Sequence, residues 1–328
     1  MLEEILHGRN RQVRHVFSSE ADPRTMQILL QNFNPEHHCT DVMRKADRRG
    51  QKDAIHPAAD SLPGLDIYVA GFPCQPFASC GLSAGVKDVR GRVWLPIFRF
   101  IAIALPRVVI LENVVGLTRG KHKDTFNAML SLLDSMEEYE WHHKCLNTSN
   151  FGVPQNRPRI YIVGIRRGQA VKPFAWPAAS PQTGALQLDD FLDVATEPVT
   201  DLISSLPPAG TKKRMKVLHA IEQVMSKGMN PLSTPAVCSA GNRECTMMVN
   251  RSPCLTKGRA MTRGHWLIHR GRNMTCQEIF RLQGLKPERW VRPADVPERH
   301  LLGAVGNAMS GNVVKALLLS LLEALGEL

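Results

Sequence analysis

A thiol, an acid and a pair of guanidiniums, met in that order along the first half of the chain, have the residue types that covalent chemistry needs. The thiol is Cys74, in Gly71-Phe72-Pro73-Cys74-Gln75-Pro76-Phe77, where two prolines stiffen a loop just past the apolar run 66–72. A cysteine in such a loop is well placed as a nucleophile, because ligands of open α/β sheets bind beyond the carboxyl ends of the strands. Glu112, in Glu112-Asn113-Val114, follows the run 107–111 and puts a carboxylate at a neighbouring strand end. Gln155-Asn156-Arg157-Pro158-Arg159 leads into the run 160–165 with two guanidiniums two residues apart, hence on one side of an extended segment. Singly, each has an ordinary explanation: a free Cys is usually apolar filler, a strand-end Glu a solvated cap, paired Arg a surface contact. Their order along one domain is what singles them out.

The elements that must position these residues read as a sheet. Short β-branched runs at 13–18, 65–72, 107–111 and 160–165 alternate with amphipathic helical runs at 93–105 and 125–137, the pattern of a parallel sheet with crossover helices. Beyond Arg167 the pattern gives way to Pro-rich and basic stretches, among them 172–181, Pro207-Pro208 and Lys212-Lys213-Arg214, which read as a separate, irregular module. Regularity returns at Thr275, with helical runs at 276–283 and 312–325, and Ser310 is placed to cap the second. The expected class is α/β, with the sheet domain made from residues 1–170 plus 275–328 and a smaller domain from 171–274.

Composition sets the bounds. In 328 residues, 43% hydrophobic and 22% charged, the chain carries too much apolar content for disorder and enough length for about two domains. No window reaches 18 apolar residues, so no membrane partner is expected, and Met1-Leu2-Glu3-Glu4 does not open an export signal. The expected location is therefore the cytoplasm, or the nucleus in a eukaryote, and not outside the cell. Eight cysteines contain no C-x-x-C pair. His37-His38-Cys39 and His142-His143-Lys144-Cys145 lack a second ligand pair, so no metal is expected and the thiols read as reduced. The 41 basic against 30 acidic residues leave +11, which favours a polyanionic partner.

Taken together, Gly71-Phe72-Pro73-Cys74-Gln75-Pro76-Phe77, Glu112-Asn113-Val114, Gln155-x-Arg157-x-Arg159, Cys276-Gln277-Glu278-x-x-Arg281-Leu282-Gln283-Gly284 and Gly306-Asn307-Ala308 closely resemble the cytosine-5 DNA methyltransferase family. Asp88-x-Arg90-Gly91 also fits the loop that follows its catalytic cysteine. The resemblance runs from about residue 13 to the C-terminus. It implies a Rossmann-like, S-adenosyl-L-methionine-dependent methyltransferase sheet and an enzyme that methylates carbon 5 of a cytosine flipped out of double-stranded DNA. On that resemblance Cys74 is the nucleophile that adds to carbon 6, Glu112 hydrogen-bonds or protonates ring nitrogen 3, and Arg159 with Arg157 holds the base and favours the thiolate. Glu20, Asp41, Pro73 and Asn307 would bind the cofactor, and Gln75, Arg90 and Gln155 the substrate. Residues 171–274 would be the target-recognition domain, with Lys257, Arg259, Arg263, His265, His269, Arg270 and Arg272 supplying phosphate and base contacts.

The sequence departs from the family at several points. Met1 to His7 stands where an apolar strand ending in Phe-x-Gly-x-Gly belongs, so the sheet is expected to be short of a central strand and the cofactor of a backbone cradle. Ala78 and Ala308 replace expected serines, and Ala21 an expected large apolar residue. A chain shortened before the glycine turn, or a DNA-binding regulatory paralogue without transfer activity, is an alternative reading. The tRNA-methylating branch is another, although its Cys-Phe-Thr signature is absent.

Overall fold

The computed structural model describes residues 2–7, 11–39, 64–72, 94–179, 187–195, 197, 199–240 and 245–328. Pro73, Cys74, Gln75, Arg90 and Asp41 fall outside them. The chain forms two compact units: Met1–Leu146 with Pro158–Pro177 and Lys315–Leu328, and Asn147–Arg157 with Ala178–Val314. Residues 147–157 and 275–314, expected in the sheet domain, belong to the second unit by compactness. The helices in 275–314 pack on one another and on a helix at 257–261, which binds them to that unit.

In the first unit the elements are α1 (Leu2–Leu6), β1 (Phe17–Ser19), α2 (Pro23–Asn32), β2 (His37–Cys39), β3 (Ile67–Gly71), α3 (Trp94–Ala104), β4 (Val108–Val114), α4 (Lys123–Asp134), β5 (Tyr139–Asn147) and β7 (Pro158–Arg166). Four strands lie in the order β3-β4-β7-β5, with β4 parallel to β3 and antiparallel to β7. Val108, Val109 and Ile110 are fully buried, as expected of a strand covered on both faces. Ile97, Phe98, Phe100 and Ile101 of α3 and Phe126, Met129 and Leu133 of α4 pack with Tyr68, Val109, Leu111 and Ile162 in one core. Gly164 of β7 leaves room for Trp141, whose ring would stand 2.3 Å from any added Cβ.

β1 and β2 make a parallel pair of their own. Among the described residues neither joins β3, so the sheet is in two pieces. Side chains still bridge them: Phe17 stacks on Tyr68 with centroids 6.2 Å apart and meets Phe100 edge-on at 5.3 Å.

The second unit contains β6 (Gln155–Asn156), α5 (Lys212–Ser226), β8 (Ala236–Ser239), β9 (Thr246–Val249), β10 (Ser252–Pro253), α6 (Lys257–Met261), β11 (Trp266–Leu267), β12 (Arg272–Asn273), α7 (Cys276–Leu282) and α8 (Glu298–Asn307). From there α9 (Gly311–Ala324) runs on into the residues of the first unit. This unit is more regular than its sequence suggested. Its antiparallel sheet has the order β12-β11-β8-β9. Lys212-Lys213-Arg214 opens a 15-residue helix capped by Thr211, whose Oγ1 accepts from Arg214 N at 3.1 Å. Val217, Ala220, Ile221 and Val224 form its buried stripe against Ala236, Cys238 and Ile268. Ser310 does not cap α9, since its Oγ is buried without a hydrogen-bond partner.

Candidate active site

Strand parity assembles the site. β4 and β7 pair antiparallel with Glu112 opposite Tyr161 and Val114 opposite Arg159. Glu112 and Arg159 are therefore diagonal neighbours on one face of the sheet. Their side chains meet, with Arg159 Nε 3.0 Å from Glu112 Oε1 and about a tenth of each side chain exposed. The contact is a close ion pair whose alignment falls short of a hydrogen bond. Glu112 was expected just past the strand; it lies inside, because pairing with β7 continues to Val114. A burial that would be costly for a lone carboxylate is offset by the guanidinium beside it.

The strand that leads towards Cys74 ends at the same level. Gly71, last residue of β3, pairs with Glu112. Asn113, buried to 1% exposure, reaches over with its Nδ2 3.4 Å from the carbonyl oxygen of Phe72 and accepts from Val114 N at 2.8 Å through Oδ1. The middle residue of Glu112-Asn113-Val114 thus fixes the backbone from which the Cys74 loop departs, a role that sequence reasoning missed. Its signal was an amide inside an otherwise apolar strand.

Arg157 does something different from Arg159. It is buried to 2% exposure, and its guanidinium donates to three carbonyl oxygens: Leu255 (2.6 Å), Gly306 (3.2 Å) and Ala308 (2.8 Å). The expectation that both arginines hold the base therefore fails for Arg157. It precedes β7, so the alternation that would set it beside Arg159 does not apply. Gln155, expected at the substrate, is also internal: Nε2 donates to Leu282 O at 2.6 Å and Oε1 accepts from Leu255 N at 3.0 Å. Gly306 sits where an added Cβ would lie 2.7 Å from Thr256 O, which explains glycine in Gly306-Asn307-Ala308.

Much of the basic run 257–272 is likewise structural. Arg272 pairs bidentately with the fully buried Glu278 at 2.7 and 3.0 Å, while Glu278 also accepts from Thr275 N and Asp193 N. The terminal guanidinium nitrogens of Arg272 are thus spent largely on Glu278, with about a third of the side chain exposed. His269 and Arg270 both bond Asp189, at 2.8 and 3.3 Å. Lys257 and Arg259 lie half-buried on α6, whereas Arg263 is exposed in a left-handed turn at φ 60°.

His265 is buried to 1% exposure, with Nε2 3.1 Å from Pro253 O. Burial pushes its pKa down from 6.5 to about 4, helped by the charge of Arg259. Protonation then favours the unfolded chain, so the associated stability is complete above about pH 6.5 and lost as pH falls towards 4, about 3 kcal/mol in all. Urea melts of the wild type and His265→Asn at pH 7.5 and 4.5 check this: the wild type should lose more stability on acidification. Equal losses would contradict it.

Of the residues expected at the cofactor, Glu20 closes β1, with Oε1 accepting from Asp22 N at 2.9 Å ahead of α2. A carboxylate so oriented, with its other oxygen unbonded among the described residues, fits a ribose hydroxyl. Asn307 is the exposed last residue of α8. Among the described residues, no group of three His, Cys, Asp or Glu is placed to hold a metal ion.

The family model for C-5 cytosine-specific DNA methylase matches residues 5–323. Type II methyltransferase M.NgoBI of Neisseria gonorrhoeae is 30% identical over 305 residues, covering 92% of this chain and 84% of that protein. Type II methyltransferase M.HaeII of Haemophilus aegyptius is 36% identical over 152 residues, 46% of this chain and 43% of its own length. Among solved structures, a DNA modification methyltransferase from an E. coli prophage aligns with a TM-score of 0.58 at 18% identity, over 95% of this chain and 93% of that one. S. pombe Dnmt2 methyltransferase aligns at 0.57 and 16%, over 98% and 95%. At such identities the structural likeness is one of fold, and the sequence matches carry the rest. The chain belongs to the C-5 cytosine-specific DNA methylase family.

Proposed function

We propose that this cytosine-5 DNA methyltransferase works on a cytosine flipped from duplex DNA, with Cys74 as nucleophile and the Glu112–Arg159 pair as the group that receives the base. The observation that carries this is the buried ion pair at the level where β3 ends, three residues before Cys74. Carbon 5 of cytosine is too weak a nucleophile unaided. Addition of the Cys74 thiolate to carbon 6 turns the ring into an enamine, and Glu112 at nitrogen 3 draws off the charge that develops. Arg159 keeps the Glu112 carboxyl in place, and its positive charge favours a thiolate nearby. S-adenosyl-L-methionine, when bound, supplies a methyl group on a sulfonium; Glu20 is the described residue best suited to hold it, with Asp41, Pro73 and Asn307 completing the proposed set. Loss of the carbon 5 proton then expels Cys74. Lys257, Arg259 and Arg263 are the proposed DNA contacts.

Labelled methyl transfer to unmethylated plasmid-length duplex and to tRNA, with wild type and Cys74→Ala, tests the reading. Label should enter the duplex with wild type and fall to background with the variant. Transfer that survives in Cys74→Ala refutes the nucleophile, and label in tRNA instead of duplex selects the tRNA branch.

A further inference from the structure

Methyl transfer leaves unused two thiols of the second unit that stand unusually close. Cys238 Sγ and Cys245 Sγ are 3.1 Å apart. Cys238 lies on β8 opposite Met247, and Cys245, two residues earlier and just before β9, is its diagonal neighbour on the same face. The sulfurs would have to close by about 1 Å to reach the ~2.05 Å of a disulfide. The Lys216 carbonyl of α5 lies 3.7 Å from the first sulfur and 3.4 Å from the second. Cys238 is sealed in the core under α5, whereas Cys245 is half-buried.

The two thiols are chemically unequal. The hydrogen bond from Cys238 lowers the pKa of Cys245 to about 7, with the charges of His219 and Lys216 assisting and burial opposing. The same bond, together with burial, pushes Cys238 far up, against the charges of Lys216 and Lys213. A thiolate near neutrality beside a buried partner thiol has the composition of an attacking and a resolving cysteine.

We propose that Cys238 and Cys245 form a reversible redox pair whose oxidant is a low-molecular-weight disulfide. The Cys245 thiolate attacks one sulfur of the reagent, forming a mixed disulfide and releasing one small thiolate. Cys238 then gives up its proton and attacks Cys245 Sγ, forming the internal disulfide and releasing the second. The balance is two protein thiols and one disulfide in, one protein disulfide and two small thiols out. The bond closes the loop from 238 to 245 and ties the end of β8 to the start of β9.

The test uses the full chain with Cys74→Ser, so that the proposed catalytic thiol does not compete. It is equilibrated with glutathione disulfide, quenched by alkylation and mapped by peptide mass. A 238–245 linked peptide two hydrogens lighter than the reduced pair, reversed by dithiothreitol, is expected. Added Cys238→Ser should strand glutathione on Cys245. The pH profile of Cys245 alkylation should have its midpoint near 7 and move up by at least one pH unit in Cys238→Ala, which removes the hydrogen-bond donor. Absence of the linked peptide, with Cys238 and Cys245 both found alkylated as free thiols once the quenched chain is denatured, would overturn the proposal. So would a Cys245 midpoint at the ordinary value of about 8.5 in the starting protein. Both readings come from the Cys74→Ser chain alone, so they stand even if Cys238→Ser misfolds.

Discussion

Glu112→Gln is expected to slow methyl transfer by roughly 10² to 10⁴-fold, the usual contribution of a positioned acid or base. The change is isosteric and keeps an amide oxygen towards Arg159, whose Nε stands 3.0 Å from Glu112 Oε1. What it removes is the group that can exchange a proton with ring nitrogen 3 and the negative charge that balances the guanidinium. The loss should fall on the single-turnover rate, while DNA affinity stays within a few-fold of wild type. Unfolding should shift by no more than about 1–3 kcal/mol, the cost of weakening one charged contact. A single-turnover rate within threefold of wild type would show that the Glu112 carboxylate takes no part in the chemistry.

Arg157→Leu should do the opposite. Leucine fills part of the volume but leaves the carbonyls of Leu255, Gly306 and Ala308 without their donor. With roughly 1–3 kcal/mol for each buried acceptor left unsatisfied, a loss of about 3–5 kcal/mol is expected, enough to unfold a marginal domain near 37 °C. Arg159→Leu, by contrast, should cost transfer rate well before stability, since Arg159 pairs with Glu112 and not with those carbonyls. Urea unfolding of both variants separates the two roles. An Arg157→Leu protein as stable as wild type but devoid of transfer would restore the catalytic assignment that the geometry withdraws.

The two arginines also show where sequence reasoning reached its limit. Alternation along an extended segment is sound within a strand, but β7 begins at Pro158, so Arg157 and Arg159 do not share one. Their partners lie almost 100 residues or more away in one case and 47 in the other, beyond any local pattern. The same holds for 257–272: Arg272 and His269 read as surface cations until Glu278 and Asp189 are seen beside them. Apolar runs were more legible. β3, β4, β7, α3 and α7 stand close to where hydrophobic period placed them, because β-branched or aromatic residues fill their buried positions. In α5 the stripe Val217, Ala220, Ile221, Val224 was equally present, but the basic residues at its start drew it towards a charged loop.

Cys74 attacking a base that Glu112 and Arg159 receive is the central step, and an adduct measurement addresses it directly. Fluorine at carbon 5 cannot leave as the proton does, so a plasmid-length duplex made with 5-fluorocytosine should hold the enzyme at the covalent stage, whichever of its many sites is the target. With cofactor present, peptide mapping should find the modified base on Cys74, absent in Cys74→Ala and formed at least 100-fold more slowly in Glu112→Gln, in line with the expected loss of an acid–base group. An adduct on any other cysteine, or one that forms at the wild-type rate in Glu112→Gln, would contradict the account.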